Sequence, residues 1–102
     1  MNRREAEELL KKLLSEKCSL EIERKDKRTL FYCKGELVGS AVELDKEVLA
    51  LSVYGKSLSD PIHKEFLSTA KESFKDKLIK EGTRESSGFE ESFHYSFVNV
   101  KL

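Results

Sequence analysis

Tryptophan and glutamine are absent from this 102-residue sequence, proline occurs once and cysteine twice. One proline and five glycines leave no Pro/Gly-rich tract to act as a linker, and no repeat or low-complexity stretch divides the chain. Two cysteines are too few for a disulfide scaffold. No apolar run approaches the ~18 residues that a membrane-spanning helix needs. An excess of charge of one sign is missing as well, because Lys+Arg and Asp+Glu each number 19. That balance removes the default argument for nucleic acid or an anionic membrane as partner. It also leaves little repulsion between copies of the chain.

Asparagine occurs twice and methionine only at position 1, while Glu and Lys dominate the polar residues. This bias suits a thermophile, where amides are labile and charged networks cost less to desolvate; twelve serines argue the other way. The opening stretch MNRREAEELLKKLL is charged and periodic, unlike a signal peptide with its continuous apolar core. The expectation is a cytoplasmic protein with Cys18 and Cys33 as reduced thiols. Hydrophobic residues make up 38% of the chain, enough for one folded domain over residues 1–102.

What is present organises into alternating patterns. Ala6, Leu9, Leu10, Leu13 and Leu14 follow the spacing of a one-faced helix over residues 3–17, with Asn2 as cap and Glu5 three residues later. Cys18, Leu20 and Ile22 alternate with polar residues as a half-buried strand does. Three more strands, 29–33, 37–44 and 48–54, are separated by turns at Lys25-Asp26-Lys27, Gly35 and Asp45-Lys46. Asp60-Pro61 opens a second helix whose apolar face runs through Ile62, Phe66, Leu67, Ala70, Phe74 and Leu78, with Gly82 as its stop. Residues 83–90 read as a mobile loop and 93–100 as the last strand.

The expected architecture is α+β, in the order α-β-β-β-β-α-β: a mostly antiparallel five-stranded sheet with two helices on one face. The last strand pairs either with strand 1 or beside strand 4. If strands 1 and 2 pair so that Leu20 faces Phe31, then Cys18 faces Cys33; the neighbouring register separates them.

Four segments invite a chemical reading. Residues 50–57, ALSVYGKS, match a relaxed phosphate-binding loop ending in Gly55-Lys56-Ser57, but the interior is strand-forming and the helix signal starts only at Asp60. Asp60 and His63 with Ser57 or Ser59 resemble a hydrolytic cluster, yet His63 falls on the apolar face of its helix and Asp60 is already the cap. His94 shares a strand face with Ser96. Arg24, Lys27 and Arg28, with Tyr32 and Lys34 behind them, form one local basic and aromatic stretch, a candidate contact for single-stranded nucleic acid. The competing reading is a solvated hairpin tip.

None of these supplies a catalytic, metal or cofactor set, so neither an enzyme nor a cofactor is expected. One pattern exceeds ordinary structure: the third, fourth and fifth strands are apolar on both faces, and two one-faced helices cover only one side of a sheet. The expectation is a non-catalytic interaction module, a small adaptor, inhibitor or chaperone-like protein, homodimeric through a sheet face. Leu51, Val53, Tyr95 and Phe97 are the candidate contacts. A single-strand nucleic-acid module is the first alternative and a small-molecule carrier the second.

Overall fold

The first helix begins where its apolar spacing places it, and the second where its cap does. In the computed structural model, which describes residues 3–16, 18–87 and 92–102, α1 spans Arg3–Ser15 and buries Ala6, Glu7, Leu10 and Leu14. Helix α2 spans Pro61–Ser73; the Asp60 carboxylate accepts the Ile62 N–H at 3.0 Å, and Pro61 sits where no N–H is needed. Asn2, residues 88–90 of the expected loop and the Phe93 side chain lie outside what the structure describes.

The strands are β1 (Leu20–Arg24), β2 (Arg28–Cys33), β3 (Glu36–Glu43), β4 (Val48–Gly55), β5 (Leu78–Ser87) and β6 (Ser92–Lys101). They form one sheet in the order β1-β2-β3-β4-β6-β5, with every neighbouring pair antiparallel. Lys34 and Gly35, at φ 51° and 82°, make the two-residue turn between β2 and β3. The class is α+β, and the sheet has six strands rather than five.

The added strand is β5, cut from what reads as the tail of α2 and a loop. Leu78 lies four residues after Phe74, so it fits the helical stripe. It equally fits a strand whose alternate residues face the core, and there it packs. The helix in fact stops at Phe74 (φ −119°) and a short 3-10 turn, Lys75–Lys77, redirects the chain. Gly82 then sits inside β5 instead of ending α2. One extra strand reverses the direction of the next, so β6 runs antiparallel to β4 and inserts between β4 and β5.

The β1–β2 register overturns the thiol expectation. Leu20 pairs with Cys33 and Ile22 with Phe31. Cys18 is therefore the diagonal neighbour of Cys33, and the two form a disulfide with Cα atoms 6.0 Å apart. The bond fastens the segment between α1 and β1 to the end of β2.

Both helices lie on the same face of the sheet. Helix α1 crosses the β1–β3 half, α2 the β4–β6 half, and their side chains join one core cluster with Phe31, Ala41, Leu49, Leu51, Val53, Val98 and Val100. Each such valine, leucine or phenylalanine side chain contributes about 1.5–3 kcal/mol when fully buried. Among the described residues no helix is long and apolar enough to cross a membrane.

Candidate functional site

Residue parity on β4 separates the two faces of the sheet. Leu49, Leu51 and Val53 are fully buried beneath the helices, whereas Ala50, Ser52 and Tyr54 point the other way and are half-buried. The strand pairings carry that parity across the sheet. On the open face one row runs Arg28, Val42, Ala50, Asn99, Lys80. The next runs Glu23, Leu30, Ser40, Ser52, Phe97, Gly82. Beyond it, Tyr32 stands between Glu21 and Leu37 on one half, and Tyr95 between Tyr54 and Arg84 on the other.

The four expected contacts therefore divide between the faces. Leu51 and Val53, both without exposed surface, belong to the core under the helices and cannot meet a partner. Tyr95 and Phe97 are on the open face. They line up with Tyr54, with ring centroids 6.1 Å apart for Tyr54 and Tyr95 and 6.2 Å for Tyr95 and Phe97. Arg84 reaches over the Phe97 ring, its guanidinium carbon 5.2 Å from the centroid. Gly82 makes room for this: a Cβ there would stand 3.1 Å from the Phe97 ring. The Tyr54 hydroxyl lies 3.4 Å from Ser40 Oγ, and Ser40 is buried although no helix covers it. The large neighbours shield the small ones, leaving an apolar surface of half-exposed rings.

The basic stretch does not form one patch. Lys27 and Arg28 are exposed at the β1–β2 turn, but Lys34 lies beyond the other end of β2, about 20 Å away at 3.3 Å per residue. Arg24 points to the helix side, its Nε 3.4 Å from Glu7. Tyr32 is on the open face beside Glu21 and not among the cations. Acidic groups adjoin the remaining charges, including a Lys25–Glu23 pair at 3.2 Å.

His63, a core residue by its place on the apolar face of α2 rather than part of a hydrolytic cluster, sits in a closed polar tie. The His63 Nε2–H donates to the Ser57 carbonyl at 3.0 Å, which leaves Nδ1 to accept from the Ser96 hydroxyl at 2.6 Å. The Thr83 hydroxyl completes the chain to Ser96 Oγ at 2.9 Å. Ser96 has no exposed surface and His63 4%. This serine is out of reach of a substrate, and the histidine lacks a carboxylate to orient it. The phosphate-loop match fails for the reason its composition suggests: Ala50 to Gly55 are strand, paired with β6 throughout and with β3 as far as Val53. His94 is half-buried opposite Gly55 and Glu85, its Nδ1 enclosed without a hydrogen-bond partner.

A second tie escaped the sequence reading. Glu7 is 7% exposed beneath the sheet, where it accepts from the Thr29 hydroxyl and lies 3.5 Å from Arg3 Nε and 3.4 Å from Arg24 Nε. Its signal was positional: Glu7 precedes Leu10 by three residues and Leu14 by seven, on the buried stripe of α1. Between the helices an open groove is lined by Leu9, Leu13, Lys12, Thr69 and Ser73. Among the described residues no three His, Cys, Asp or Glu side chains group as a metal site.

Comparison of the chain with protein-family models, with curated proteins and with solved structures returns no match.

Proposed function

We propose that this chain is a non-catalytic interaction module that pairs with a second copy of itself through the open face of its sheet. The observation that carries the reading is the composition of that face. An antiparallel sheet face left in water is normally polar, and here its centre is Leu30, Tyr32, Leu37, Tyr54, Tyr95 and Phe97. Aromatic residues with a rim of charge are what interface cores are made of. A homodimer is the simplest cover for a face shared by all copies, and the zero net charge does little to oppose it. Adaptor, inhibitor and chaperone-like roles all fit such a module.

One observation favours a second reading. The half-exposed rings, with Arg84 over Phe97, resemble a stacking platform for single-stranded nucleic acid. Glu21 and Glu23 on the same face weigh against it, because both repel phosphate.

Sedimentation at roughly 50 µM, well above the Kd of a micromolar complex, tests the main reading. The wild type is expected to be a dimer, and Ala50→Glu, which places a carboxylate at the centre of the open face, a folded monomer. A monomeric wild type overturns the reading. A monomer that retains a fluorescent oligonucleotide at moderate salt replaces it with the second.

A further inference from the structure

Charge on the open face is not spread evenly, and its layout selects one docking geometry. At one edge of the sheet, β1 presents Glu21 and Glu23; at the other, β5 presents Lys80 and Arg84. All four are exposed. Among the described residues the face otherwise carries charge only at Lys25, just past the end of β1 and paired with Glu23, at Arg28 at one end of β2 and at Lys101 at one end of β6.

Two sheets stacked face to face keep their strands within about 30° of each other and lie about 10 Å apart. In a symmetric pair the twofold axis lies between the sheets, either along the strands or across them. An axis across the strands stacks β1 on β1 and β5 on β5, setting acid against acid and base against base. An axis along the strands, between β3 and β4, exchanges the edges. The strand order β1-β2-β3-β4-β6-β5 then places β1 over the partner's β5, β2 over β6 and β3 over β4. Glu21 comes over Arg84, Glu23 over Gly82 between Lys80 and Arg84, Tyr32 over Tyr95 and Leu30 over Phe97. Small Ser40 and Ser52 meet at the axis. Arg28 comes over neutral Asn99.

Resting on the dimer reading above, we infer that the second copy docks with its twofold axis along the strands. The acidic β1 edge of each copy then meets the basic β5 edge of the other, twice per dimer. A Glu and an Arg side chain together span the gap between the sheets. The contact between Glu23 and Lys25, at 3.2 Å with both side chains about half exposed, is weak enough to yield to it. Like-charge contact in the competing arrangement is the stronger selector, since it disfavours the wrong orientation.

Charge reversal tests the geometry. One variant carries Glu21→Lys with Glu23→Lys, the other Lys80→Glu with Arg84→Glu, and circular dichroism verifies that each is folded. Each variant alone has like charges at both contacts and is expected to self-associate about tenfold or more weakly than wild type at low ionic strength. Mixed, they restore opposite charges at both contacts, so native mass spectrometry should find predominantly the mixed dimer. Recovery on mixing also shows that neither variant lost its affinity by misfolding. If wild type dimerises but each variant alone self-associates as well as wild type does, the axis is wrong while the dimer stands. A monomeric wild type removes both.

Discussion

Both faces of the sheet carry apolar side chains and put them to different uses. The covered face is aliphatic and closed: Leu49, Leu51, Val53, Val98 and Val100 have no exposed surface, and the buried Glu7, Thr29, His63 and Ser96 are tied in pairs. Glu7 from α1 meets Thr29, and His63 from α2 meets Ser96, so each helix is pinned to the sheet by a buried hydrogen-bonded side chain. The open face is aromatic and only half-buried, with serines between the rings and charge at its edges. Aliphatic side chains fill a helix–sheet interior densely, whereas rings with polar tips tolerate water on one side. The difference teaches that apolar content alone does not mark a core; what distinguishes the two faces is what covers them.

The sharpest way to break this contrast is to charge the covered face. Leu51→Glu, one residue from Ala50, places a carboxylate among Leu49, Val53 and the helices, with no partner. It is expected to cost about 4 kcal/mol or more and to abolish the cooperative melt, whereas Ala50→Glu leaves the melt in place. Equal melting temperatures for the two would erase the distinction between faces.

A smaller effect is expected from the disulfide, which lies at the helix side of the β1–β2 hairpin. Closing a span of 15 residues restricts the unfolded chain by about 3 kcal/mol, so Cys33→Ser, or a reductant, should lower the melting temperature. Dimerisation should persist, because neither cysteine is on the open face. A native protein that alkylates fully without reductant would mean that the bond is not formed.

The smallest of the three concerns the tie under α2. His63→Asp sets a carboxylate against the Ser57 carbonyl and removes the donor to it, for an expected loss of about 1–3 kcal/mol by thermal melt. Sedimentation of this variant should remain that of wild type. A monomer would link α2 to the open face through the sheet.

Much of the fold was legible because it is written locally. The Asp60-Pro61 cap, the stripe of α1 and the four-stranded meander each depend on residues a few positions apart, and each is found where spacing places it. The sixth strand was not legible, because Phe74 and Leu78 satisfy a helical period and Leu78 also satisfies a strand position. Only contact with the sheet discriminates between them. The disulfide was missed for a related reason: hairpin register depends on which residues the helices bury, and a diagonal pair requires no direct cross-strand match.

By itself the sequence determined that two helices and an antiparallel sheet would form, and that part of the sheet would be apolar on both sides. Which side became the core was a tertiary decision. On a strand such as Val48-Leu49-Ala50-Leu51-Ser52-Val53-Tyr54, side chains alternate with period two, so either set can face inward as far as local pattern is concerned. The tie is broken by shape: Leu49, Leu51 and Val53 join one buried cluster with α1, α2 and the aliphatic side of β6, while the rings of Tyr54, Tyr95 and Phe97 pack tilted against one another on the other side. That choice brought Glu21 and Arg84 to opposite edges of one surface, a relation between residues that only the strand order creates.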